Sequence, residues 1–141
     1  MSKLATAKQC AEKMWAGDAA SRALGMTVEI RKVGSATARM DVRDDMVNGF
    51  DICHGGLLFA LADTAFAFAC NAYDRMTFAA SGQIEYLRPA VLGDSLCALA
   101  TEEYRGRNNG FYTVRIENQD GHTVALFRGR SVSRNEPVLK D

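Results

Sequence analysis

The chain has 141 residues, 17 basic against 17 acidic side chains, and 48% hydrophobic residues. That length holds one domain core, and that apolar share excludes wholesale disorder. Zero formal charge and an isoelectric point near 6.7 argue against a general binder of nucleic acid or anionic membrane, though not against a local basic patch.

Residues 3–16 read as a helix with Leu4, Ala11, Met14 and Trp15 on its apolar stripe. Gly17 stops it, and Asp18 reads as the N-cap of a second short helix closed by Gly25. Residues 26–33 read as a strand, and Gly34-Ser35 as a turn. Ala36, Ala38, Met40 and Val42 then alternate with Thr37, Arg39 and Asp41, which marks a half-buried strand. A loop over 43–53 leads into a helix over 55–72. Four strands are expected at 77–87, 95–104, 111–118 and 123–132, with turns at 92–94, 105–110 and 119–121. The tail over 135–141 reads as polar and loose.

The helix over 55–72 is apolar on every face, so it must be enclosed. It is too short and too rich in alanine and glycine for a membrane span, and Asp63 in its middle would cost a few kcal/mol in a bilayer. The order of elements predicts a single α+β domain over 1–141, one long helix wrapped by a curved antiparallel sheet behind short N-terminal helices. A sheet covers only one side of that helix, and the other side predicts oligomerisation.

Cys10, Cys53, Cys70 and Cys97 form no CxxC pair, and the two histidines, His54 and His122, lie far apart. No metal site is expected. Unpaired thiols and an N-terminus without a secretory signal point to the cytoplasm.

Two features carry chemistry. Asp63 is a carboxylate in an apolar helix, which is costly unless it is paired in an interface or working as nucleophile or general base. His54-Gly55-Gly56 stands where that helix begins, so backbone N–H groups and the helix dipole can bind a carbonyl oxygen gaining negative charge. Glycine there also simply permits a tight turn. Gly55 and Asp63 are eight residues apart, about 12 Å along one helix. One carbonyl cannot meet both groups of one chain. If both act, two antiparallel helices from different subunits must supply them.

The run NGFDICHGGLLFALADTAFAFACN, with FAASGQIEYLRPAVLGDSL, RGRNNGFYTVRIENQDG and VALFRGRS, resembles the hotdog-fold acyl-CoA thioesterases over roughly residues 10–132. Within that family the likeness is greatest to the thioesterases of bacterial phenylacetate degradation. The resemblance implies a hotdog fold and hydrolysis of phenylacetyl-CoA, its hydroxylated forms or a similar aryl or medium acyl-CoA. It implies a catalytic carboxylate at Asp63, a carbonyl-polarising N–H at Gly55, polar residues near the reacting group at His54 and Asn48, and an orienting serine at Ser81. By themselves, Asn48 before Gly49 reads as a turn residue, His54 as a helix-start residue and Ser81 as an ordinary strand residue.

The coenzyme A phosphates call for a local basic surface. Candidates are Arg88, Arg105 and Arg107 with Asn108 in the RGRNNG turn, and Arg128 and Arg130. Gly56 and Phe59 complete the expected substrate contacts. Phe50, Ile52, Leu58, Leu61, Phe66 and Phe68 are candidates for the acyl pocket or the core. No separate cofactor is expected, since coenzyme A belongs to the substrate. The expected assembly is a homodimer, further paired as a homotetramer, without nucleic acid or membrane. Two other readings share the fold. One is an enoyl-thioester hydratase or dehydratase using His54 with a carboxylate; the other is a non-catalytic acyl-CoA-binding protein.

Overall fold

The computed structural model describes residues 1–140; Asp141, the end of the expected tail, lies outside them. The elements are α1 (Lys3–Gly17), α2 (Ala19–Ala23), β1 (Thr27–Glu29), β2 (Ser35–Asp41), a 3-10 turn (Asp44–Met46), α3 (Gly55–Cys70), β3 (Thr77–Tyr86), β4 (Ser95–Arg105), β5 (Asn109–Glu117) and β6 (Thr123–Ser133). Ser2 caps α1 by accepting the Ala5 N–H at 3.0 Å. Asp18 caps α2 by accepting the Ser21 N–H at 3.0 Å, and Gly25 closes it at φ +72°.

The sheet has six antiparallel strands in the order β1-β2-β4-β5-β6-β3. Its concave face wraps α3. Small side chains on that face let the helix approach: Ala36 and Ala38 on β2, and Ala98 and Ala100 on β4, are fully buried. Gly129 on β6 leaves room for the Phe66 ring, because a Cβ there would stand 2.7 Å from Phe66 Cε2. Phe66 in turn packs on Tyr112 and Phe127, with ring centroids 5.4 and 5.8 Å away.

Three expectations need correction. The strand over 26–33 reduces to Thr27–Glu29, because residues 30–34 bend into a turn closed by Gly34 at φ +80°. Consecutive β3 and β4 do not pair. The chain after β3 passes across the start of α3, where the Cys53 N–H donates to the Ala90 carbonyl and Ile52 bridges Val91, so β4 returns beside β2. The tail is not loose as far as it is described. The Met76 N–H donates to the Glu136 carbonyl, the Leu139 N–H donates to Asp74 Oδ1 at 2.8 Å, and Val138 is 9% exposed.

The far side of α3 is covered in part by the same chain. Trp15 packs against Phe68 at 6.3 Å between ring centroids, and Ser21 shares a hydrogen bond with Thr64. No helix among the described residues is long and apolar enough to cross a membrane.

Asn71 fastens the end of α3 to the start of β3. Its amide donates to the Ala67 and Thr77 carbonyls and accepts the Thr77 N–H, at 2.8, 2.9 and 2.9 Å, and it is 6% exposed. Asn71→Ala strands both backbone groups of Thr77, so urea denaturation is expected to show a loss of about 2–3 kcal/mol.

Candidate active site

The start of α3 is organised by His54. Its backbone is extended, at φ −56° and ψ 130°, and its Nδ1 accepts the Gly56 N–H at 2.9 Å. Nδ1 is thereby engaged as an acceptor. The His54 carbonyl accepts the Leu57 and Leu58 N–H groups, and its own N–H donates to the Met46 carbonyl. Among the first donors of α3, only the Gly55 N–H makes no hydrogen bond within the described residues. Gly56 is thus not a second free donor, since its N–H is taken by His54.

The approach loop is shaped by Asn48. Its Oδ1 accepts the Phe50 N–H at 2.9 Å and lies 3.4 Å from the Ile52 N–H, an Asx turn that brings the chain back to Cys53. Asn48, Ile52, Gly55, Leu58, Tyr86 and Arg88 line a hollow of about 370 Å³. A larger hollow of about 580 Å³ lies on the opposite face of the sheet around Leu99 and Leu126, and none of the five candidate catalytic residues lines it.

Tyr86 is a participant that sequence reasoning missed. Its hydroxyl donates to the Gly55 carbonyl at 2.9 Å, and its ring would stand 3.0 Å from a Cβ at that position. A side chain at position 55 would therefore press against the Tyr86 ring. Nothing in the sequence links the end of a strand to a residue 31 positions earlier.

Asp63 lies two turns beyond Gly55 on α3, half-buried, with no hydrogen bond or ion pair among the described residues. Burial pushes its carboxyl above the usual carboxylate range. The helix keeps it about 12 Å from Gly55 along the axis. The structure thus keeps the two groups apart within one chain. His54 is nine residues from Asp63 with its Nδ1 engaged, so the histidine–carboxylate pair of a hydratase does not form within one chain either.

The remaining candidates scatter. Ser81 sits opposite Arg130 beside a bulge in β3. Its neighbour Gly82 faces Phe59 and Phe127, so strand alternation turns Ser81 to the sheet face away from α3. Phe59 packs edge-on against Phe127 at 5.3 Å, as part of the wall beside β6. Leu61, Phe66 and Phe68 are core, whereas Phe50 is 86% exposed on its loop. Arg88 lines the hollow beside Gly55.

Arg105, Arg107 and Asn108 lie instead at the other end of α3. Arg105 stacks 3.6 Å over the Tyr73 ring, while Arg75 donates to the Arg107 carbonyl and to Asn108 Oδ1. Burial and Glu102, which accepts from both the Tyr73 and Tyr112 hydroxyls, push the Tyr73 phenol up to about 12 and Tyr112 higher still. That network is structural.

A family model described as the thioesterase superfamily matches residues 50–125. The chain is 45% identical over 123 residues to the acyl-coenzyme A thioesterase PaaI of Escherichia coli, covering 87% of this chain and 88% of that protein. The solved structure of the E. coli PaaI protein, from the phenylacetic acid degradation operon, superposes with a TM-score of 0.94 at 42% identity. It covers 96% of this chain and 99% of that one. A phenylacetic acid degradation protein PaaI from Thermus thermophilus, solved as a mutant, is 36% identical with a TM-score of 0.76, covering 79% and 96% of the two chains.

The raised carboxyl of Asp63 has a consequence for stability. The folded chain holds this proton to higher pH than the unfolded chain, whose value is near 3.8. The contribution of Asp63 therefore falls as pH rises from that value through the raised one. Asp63→Asn is expected to melt higher than the unaltered protein near neutral pH, with the difference closing as the pH approaches 3.8.

Proposed function

Because the chain belongs to the thioesterase superfamily and shares the hotdog fold of its relatives, we propose that it hydrolyses aryl or medium acyl-CoA thioesters. Phenylacetyl-CoA and its hydroxylated forms are the first substrates to test. The products are the free acid and coenzyme A, and the setting is phenylacetate degradation in the cytoplasm. No separate cofactor is called for, since coenzyme A is part of the substrate.

The observation that carries this reading is a pair of unsatisfied groups on one helix. Among the described residues, Gly55 has an N–H without a partner, and Asp63 has a carboxylate without one. The thioester carbonyl oxygen takes the Gly55 N–H, helped by the positive end of the helix dipole. A single donor of this kind is worth about 3–4 kcal/mol in the transition state. Asp63 either takes a proton from the water that attacks the carbonyl carbon, or attacks that carbon itself to give a mixed anhydride that water then cleaves to the free acid. The tetrahedral intermediate then expels coenzyme A as its thiolate.

Two chains are needed, because each active site takes Gly55 from one and the partner's Asp63 from the other. β3 supports this assembly. It is a ten-residue edge strand with one charged side chain, Glu85, and no proline. Gly56, Ala60, Asp63 and Ala67 recur along one stripe of α3, small enough to admit a second helix. Antiparallel pairing of two β3 edges sets the two α3 helices head to tail. Leu99 and Leu126 on the outer sheet face favour further pairing into a homotetramer.

Two experiments test the reading. On a panel of acyl-CoAs with a thiol reagent reporting free coenzyme A, Asp63→Ala is expected to lose at least about a hundredfold in kcat with its fold intact. Binding without release by the unaltered protein would turn the reading towards a non-catalytic binder. In the second, Asp63→Ala and Gly55→Val chains, each inactive, are refolded together. Mixed dimers should regain up to about a quarter of the sites. No recovery, with mixed dimers shown to form, would overturn the shared site.

A further inference from the structure

Tyr86 is placed by the sheet rather than by the helix it touches. It is the last residue of β3, and strand alternation puts it on the same face as Gly82 and Ile84, the face that meets α3. Its register partner is Ala125, fully buried, whose small side chain leaves the ring room to lie over the first turn of the helix. Just beyond it the Leu87 and Arg88 N–H groups both donate to the Val124 carbonyl, at 2.9 and 3.2 Å. The backbone that carries the ring is thus fastened on both sides. The ring itself is 53% exposed, so packing alone does not hold it and the hydroxyl bond has to.

What that bond does follows from the peptide unit it holds. The unit between Gly55 and Gly56 has its carbonyl bonded by the Tyr86 hydroxyl at 2.9 Å and its N–H bonded to His54 Nδ1 at 2.9 Å. The unit between His54 and Gly55 has its carbonyl bonded by the Leu57 and Leu58 N–H groups, while its own N–H, that of Gly55, makes no hydrogen bond among the described residues. These two planes meet at the Gly55 Cα, and rotation about that atom redirects the free N–H. Two successive glycines resist such rotation poorly, because neither has a Cβ. The Tyr86 ring, 3.0 Å from where a Cβ at 55 would stand, supplies the missing wall.

We infer that Tyr86 is a positioning residue: from the end of β3 it holds the 55–56 peptide so that the Gly55 N–H keeps its aim. This rests on the reading above, in which that N–H takes the thioester carbonyl oxygen. A donor lowers the barrier fully only when it already points to where negative charge develops, so that no reorganisation is left for the moment of reaction. The effect belongs to turnover, not to binding of the ground-state substrate.

The test uses Tyr86→Phe, which keeps the ring and removes only the hydroxyl. On the acyl-CoA that the unaltered protein hydrolyses best, kcat should fall about tenfold with KM within about twofold, thermal melts confirming the fold. Nuclear magnetic relaxation of the isotope-labelled full chain gives a second readout. The Gly55 amide should show an order parameter of about 0.85 in the unaltered protein and fall towards about 0.6 in Tyr86→Phe. Tyr86→Leu, which removes the wall as well, should go further on both counts. An unchanged kcat in Tyr86→Phe overturns the inference. So does a rise in KM alone, which would assign the hydroxyl to substrate binding. Loss of kcat with an unmoved Gly55 order parameter overturns it too, because the hydroxyl would then act on the substrate itself. If the unaltered protein hydrolyses no acyl-CoA, the activity reading fails and the order parameters alone decide: a fall upholds the positioning of Gly55 by Tyr86, and no fall overturns it.

Discussion

A helix without a polar face must be enclosed before anything else in this chain can be arranged. α3 has apolar or small residues all round, and six strands, the two N-terminal helices and the loop before it are disposed to keep water off most of it. That demand explains the alanines on the inner faces of β2 and β4, and the glycine under Phe66, because a helix can be wrapped closely only where the sheet lacks bulk. It also explains the price of the one exception: Asp63 sits where a carboxylate is hardest to keep charged.

The same rigidity that buries α3 fixes the chemistry. A helix holds its first residue and its ninth at a set distance, with no side-chain motion able to close it. Donor and carboxylate are therefore kept apart in each chain. The His54 ring defines the helix start by taking the Gly56 N–H, and Tyr86 holds the Gly55 carbonyl from the opposite side. Between them one peptide unit is pinned at both ends, which steadies the neighbouring Gly55 N–H.

Much of this was legible in the residues. Period-two alternation marked β2, strand-like runs between turns located β3 to β6, Asp18 and Gly25 marked the ends of α2, and a lone carboxylate among alanines and phenylalanines drew notice to Asp63. What was not legible depended on contacts between distant parts of the chain. Local sequence says where β3 runs but not that β6, rather than β4, lies beside it. It cannot show that His54 takes the donor of Gly56, nor that Tyr86 reaches Gly55 across 31 positions. The tail misled because its composition is polar, while Val138 and two backbone hydrogen bonds tie it down.

The two borders of the sheet are unlike. β1 is three residues long and is flanked by ion pairs of Glu29 with Arg31 and Arg39, whereas β3 offers ten residues and a single charge. A border of the first kind resists further strand addition, and one of the second invites it. When two open borders meet, both are used up and only guarded ones remain outside. In the proposed dimer, growth by this route stops at two copies, so a long unpaired strand that would otherwise seed fibres becomes self-limiting through symmetry.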